Sequence, residues 1–273
     1  GDWSSDVCSS DLGTGVVNQA GGNMVINYPG SAYLILGIGS GSGTYNLTNG
    51  LLSLEDEYVG YFSYTGVAST GVVNQWGGTN QVKNHLNVGT SYEGIGTYNL
   101  NNGLLSASNS YIGSGFPREI QSGTGTVNQS GGTNNVTSEL HLGYGDGSGT
   151  YNLSGGRLSA ANCYVGYAGF DLAFYVSTGV VNQVGGTCAV SSELHVGYSN
   201  LTTGIYTLSN GLLTVGSKTF VGNEGIGVMN QYGGTNTVTS ELYLGTSNLS
   251  SGSYTLSNGL LTVGSKTYIG NSG

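Results

Sequence analysis

An internal repeat constrains this chain more than any other feature. The segment GVVNQ recurs around Asn18, Asn74, Asn128 (as GTVNQ), Asn182 and Asn230 (as GVMNQ), each time followed after one residue by a Gly-Gly pair. Between these lie segments of the form GTYNL or its variants, centred on Tyr45, Tyr98, Tyr151, Tyr206 and Tyr254. The two types align with one another: Gly71, Val73, Gln75, Gly78 and Val88-Gly89 match Gly96, Tyr98, Leu100, Gly103 and Ile112-Gly113. The elementary unit is therefore the half-repeat. Units begin at Gly15, Gly43, Gly71, Gly96, Gly125, Gly149, Gly179, Gly204, Gly227 and Gly252, ten in all at about 26 residues each.

Within a unit, runs of three to five residues rich in Val, Tyr, Thr, Leu and Ile alternate between apolar and polar, which is a strand signal, and no window carries helical spacing. Strands this short cannot bury an apolar face alone. Stacking each on its counterpart in the next unit, about 4.8 Å away, closes a continuous core. The chain is therefore expected to be all-β, a single-stranded parallel β-helix (solenoid) of about ten coils and some 48 Å length. The variable unit length favours the right-handed form over a left-handed hexapeptide helix. Glycine makes up 52 of 273 residues against 2 prolines, with no three-residue period, which excludes collagen. Its role is turn chemistry, with Gly78, Gly103, Gly132 and Gly186 expected at positive φ.

Residues Gly1 to Leu12 (GDWSSDVCSSDL) share nothing with the repeat and read like a translated sequencing adapter. We expect 1–12 to be an artefact and 13–273 to be one β-helix repeat domain, a fragment of a longer protein. Setting the leader aside leaves eleven acidic against five basic residues, so nucleic acid is not an expected partner. No run of 18 apolar residues is present, and membrane insertion is not expected.

The third position of the first strand alternates between Val17, Val73, Val127, Val181 or Met229 and a tyrosine, while the fifth alternates Gln19, Gln75, Gln129, Gln183 and Gln231 with leucines. Both should face the interior, with each Gln amide bonding turn backbone or a neighbouring tyrosine hydroxyl. The position between them points outward and forms a structural ladder of Asn18, Asn46, Asn74, Asn99, Asn128, Asn152, Asn182 and Asn230. A flat face of this kind could alternatively bind ice or a polysaccharide.

No catalytic residues, cofactor or metal are expected. Glu57, Glu139, Glu193 and Glu241 read as solvated carboxylates too far apart to share an ion, and His85, His141 and His195 as unconnected. The densest acidic cluster, Glu55-Asp56-Glu57, has no basic partner in its column of the sequence alignment. A Cys163–Cys188 disulfide is left open. The variable loops after alternate units carry the candidate ligand-contact residues, Tyr61, Phe62, Tyr64, Phe116, Tyr167, Phe170, Phe174 and Tyr175, which could stack on sugars or a partner protein, or cover one another.

The run GTYNLSGGRLSA (Gly149 to Ala160) followed by NCYVG (Asn162 to Gly166) resembles the glycine-rich strand repeats of bacterial autotransporter passenger domains. That resemblance implies secretion, cell-surface display and adhesion. It leads to the expectation of a non-enzymatic extracellular scaffold or adhesin segment, with surface glycans, cell-surface proteins or further copies stacked end to end as partners. The alternative is a carbohydrate-binding or carbohydrate-cleaving β-helix that uses the aromatic loops, and ice binding is a weaker one.

Overall fold

The computed structural model describes residues 13–28, 32–63, 67–115, 122–169 and 176–270. Among them are thirty strands and no helix, arranged as three sheets of ten strands. Each unit gives one strand to each sheet. The unit of Gly71, for example, supplies Thr70–Gln75, Thr79–Val82 and His85–Thr90 to the first, second and third sheets. The next supplies Ile95–Leu100, Leu104–Ala107 and Asn109–Ser114. Strands pair in parallel and equivalent positions coincide, so that Gly96 meets Gly71 and Gly125, and Asn99 meets Asn74 and Asn128. The protein is thus a β-solenoid of about ten coils. Gly1 to Leu12 lie outside the described residues.

Alternation decides which side chain goes where. Thr70–Gln75 buries Gly71, Val73 and Gln75 and turns Thr70, Val72 and Asn74 outward. Tyr45, Tyr98, Tyr151 and Tyr206 are fully buried and sit against Val73, Val127, Val181 and Met229 of adjoining coils, so bulk alternates with space along the axis. Leucines and valines of the second and third sheets complete one continuous core. Each fully buried leucine contributes about 1.5–3 kcal/mol from apolar burial.

Glycine is required at two kinds of place. Where the third sheet turns into the first, the chains approach so closely that a Cβ on Gly96 would lie 2.1 Å from the Val59 carbonyl oxygen and 2.2 Å from Gly89 N. At the turn between the first and second sheets Gly103 takes φ +91°, with Gly78, Gly132 and Gly186 also at positive φ. The two glycine columns are what let short strands turn corners of fixed shape, coil after coil.

Candidate functional surfaces

The outer face of the first sheet carries the asparagines. Nδ2 of Asn46 donates to Oδ1 of Asn18 at 2.7 Å, and the same bond joins Asn74 to Asn46, Asn99 to Asn74, Asn128 to Asn99, Asn152 to Asn128 and Asn182 to Asn152 at 2.8–2.9 Å. All six bonds run in one direction along the axis. The run stops at Thr207, which takes the next place, and Asn230 stands beyond it between Thr207 and Thr255. Beside the ladder a shallow groove of about 390 Å³ is lined by amides and hydroxyls, including Asn101, Ser130 and Ser154, with no charged group.

Inside the coil each glutamine serves two strands. Tyr98 Oη donates to Gln75 Oε1 at 2.6 Å, while Gln75 Nε2 donates to the carbonyl oxygens of Gly78 and Leu104. Tyr45 on Gln19, Tyr151 on Gln129, Tyr206 on Gln183 and Tyr254 on Gln231 repeat the arrangement. The tyrosine oxygen also accepts a bond from the second sheet, from Asn80 at 2.9 Å, Asn134 at 3.0 Å or Asn236 at 3.1 Å. Sequence reasoning missed these asparagines, although each lies five residues after its glutamine. Met24 and Cys188 take the same place in the remaining units.

Glu57 overturns its expected place at the surface. It pairs with Leu34 and Leu86, one register position inward from where Glu139 lies, and is fully buried. Its Oε2 accepts from Asn80 Nδ2 at 2.8 Å, and burial pushes its carboxyl up to about 7. Cys163 and Cys188 are buried free thiols, not a disulfide, and burial raises both, Cys188 to about 11.

The third sheet presents rings outward. Tyr111, His141, Tyr164, His195, Phe220, Tyr243 and Tyr268 occupy one column and stack with centroids 4.7–5.0 Å apart and planes within 13° of parallel. This column also escaped sequence reasoning, though it is legible as an aromatic or His residue before each aliphatic-Gly pair from Tyr111-Ile112-Gly113 to Tyr268-Ile269-Gly270, with Asn87 separating it from Tyr58. Tyr144 and Tyr198 cross the edges of the stack at 73–85°.

Two residues before this column lies an acidic one on the same face. Glu139 Oε2 is 3.1 Å from His141 Nε2, Glu193 Oε2 is 3.2 Å from His195 Nε2, and Glu241 Oε2 accepts from Tyr243 Oη at 2.7 Å and lies 3.4 Å from Lys218 Nζ. These carboxylates are partnered, not freely solvated. Burial holds His141 and His195 below the usual imidazole range, their glutamates opposing it. The bond from His141 holds Glu139 below the usual carboxylate range. Asp56 also has the basic neighbour the sequence did not show: His85 of the next coil, Nδ1 to Oδ1 2.8 Å.

Of the expected ligand-contact residues, Tyr61 packs on Tyr58 at 4.7 Å and on Phe62 at 4.5 Å, and Tyr167 packs on His141 and Tyr164 at 5.2 Å. Tyr64, Phe116, Phe170, Phe174 and Tyr175 lie outside the described residues. From His141 to Tyr243 both faces of each ring meet rings of the adjoining coils, so these rings offer no open face of the kind sugar stacking needs. Among the described residues no three His, Cys, Asp or Glu side chains converge on one point, and no helix is long and apolar enough to cross a membrane. No family model, curated protein or solved structure matches the chain.

Proposed function

We propose that this protein is a non-enzymatic scaffold, a rigid spacer of the kind found in exported, surface-displayed adhesins, which holds other segments at a fixed distance. The observation that carries this reading is the unbroken register of all three sheets through about ten coils, fastened outside by amide and ring ladders. Such a stack resists bending because every coil bonds its neighbours at all three faces. Extracellular display, and cell-surface proteins as partners, are what the resemblance to autotransporter passenger repeats implies. The test is to duplicate the coil pair 203–250 in the intact chain. A spacer should lengthen by about 9.6 Å in small-angle scattering, two coils at ~4.8 Å, with an unchanged cross-section, and the chain should leave a glycan array blank. An unchanged length, or retention of one class of glycan that is lost when Tyr61 and Phe62 are replaced by Ala, would overturn it in favour of carbohydrate binding.

A further inference from the structure

The ring column of the third sheet holds one pair unlike the rest. From Tyr111 to Phe220 the tyrosines are separated by His141 and His195, so no two phenols of consecutive coils face each other. At Tyr243 and Tyr268 they do. Their centroids are 4.7 Å apart and their planes 10° from parallel, the only tyrosines of consecutive coils so stacked among the described residues. This separation matches the strand spacing and the two residues are register partners, so the rings face each other across a single coil step. The Tyr243 hydroxyl already donates to the Glu241 carboxylate at 2.7 Å, and Lys218 and the Tyr243 hydroxyl keep that carboxylate ionised. The Tyr243 ring is half-buried, leaving its edge within reach of solvent.

We propose that Tyr243 and Tyr268 form an oxidative coupling site at which a peroxide-driven one-electron oxidant joins two adjacent coils through a dityrosine bond. Each phenol gives up one electron and one proton, the proton of Tyr243 passing to Glu241 and that of Tyr268 to water. The two phenoxyl radicals combine through their ortho carbons, and the hydrogens on those carbons move to the oxygens to restore both rings. One hydrogen peroxide takes up the two electrons and two protons and leaves as two waters, so the protein loses two hydrogen atoms. The product is a covalent staple on the outside of the solenoid, which suits a structural spacer exposed to oxidants.

The experiment treats the whole chain with a haem peroxidase and hydrogen peroxide and maps the cross-linked peptides by mass spectrometry. The expected product joins the Tyr243 and Tyr268 peptides with loss of two hydrogens, at a rate independent of protein concentration. Tyr268→Phe and Tyr243→Phe, which keep a ring in a column that already accepts Phe220, should each abolish that product with unchanged circular dichroism. Glu241→Gln should slow it several-fold. Links between chains whose yield rises with concentration, with no Tyr243–Tyr268 product, would overturn the proposal, as would an intrachain link that survives in either Phe variant.

Discussion

The first and third sheets are built from the same number of strands in the same parallel register, yet they meet their surroundings in opposite ways. The first is uniform. Its outer column is asparagine in seven consecutive coils and its inner column alternates Gln with Leu, so neutral amide bonds hold it on both faces. The third is heterogeneous, with Asp56, Glu139, Glu193 and Glu241 set against His85, His141, His195 and Tyr243 outside and a buried carboxyl at Glu57 inside. Amides do not titrate, whereas Glu57, Glu139, Glu241, His141 and His195 of the third sheet have their proton affinities shifted by the fold. The first sheet should therefore set a stability independent of pH, and the third should make it vary.

Substitutions at four positions probe that division, the largest expected effect first. Gln129→Leu in the first sheet fits the space, since the neighbouring coils carry Leu100 and Leu153 there, but it strands the Tyr151 hydroxyl proton and takes the side-chain amide bonds from the carbonyls of Gly132 and Arg157. A loss of about 2–4 kcal/mol is expected, ~1–3 kcal/mol for the stranded hydroxyl and ~0.5–1.5 kcal/mol for each lost amide bond, equal at pH 5 and pH 8 in chemical denaturation. A loss that changes across that range would break the comparison.

Glu57 gives the largest effect expected of the third sheet. Its folded carboxyl is raised from 4.5 to about 7, so the folded state holds the proton more tightly than the unfolded one. Stability from this group is fully present below about pH 4.5 and falls as the pH rises through about 7, by about 3 kcal/mol in total. Glu57→Gln should remove this decline and make the protein more stable than the parent at pH 8. A parent whose stability is flat from pH 5 to 8 would contradict the placement of Glu57 in the core.

Asn128→Ala interrupts two amide bonds of the ladder and should cost about 1–2 kcal/mol, independent of pH. Asn128→Thr, copying Thr207, should cost less. The smallest effect belongs to His141→Phe. Burial depresses the folded imidazole, so its contribution is present above the unfolded value near 6.5 and lost as the pH falls below it, the reverse of Glu57. Phe keeps the ring stack, so stability at pH 8 should shift by less than about 0.5 kcal/mol, while the acid-side loss diminishes and Glu139, freed of its partner, titrates higher. These shifts are readable by thermal melts across pH and by carboxyl NMR titration.

The division also explains what the sequence made legible. Repetition exposed the coil count, the inward Gln and Tyr columns and the outward asparagines, because a residue repeated at one position of every unit can only be stacked upon itself. Glu57 was misplaced because Ser-Glu-Leu at Glu139, Glu193 and Glu241 suggested an alignment one residue out of register, and in a strand one residue exchanges the two faces. The ring column was overlooked because it mixes Tyr, His and Phe, which differ as letters but share a flat shape. The pairing of His85 with Asp56 depends on residues 29 apart in sequence, and the register joins them.

The most direct test of the central claim, one rigid stack in register, is a distance between spin labels at Ile95→Cys and Ile226→Cys. Both side chains are exposed in the same outer column of the first sheet, five coils apart, while Cys163 and Cys188 are buried and Cys8 is replaced by Ser for the measurement. Pulsed electron resonance should give one narrow distribution near 24 Å, five coils at ~4.8 Å, broadened only by the label tethers. A broad or multimodal distribution, or a mean far from that value, would contradict it.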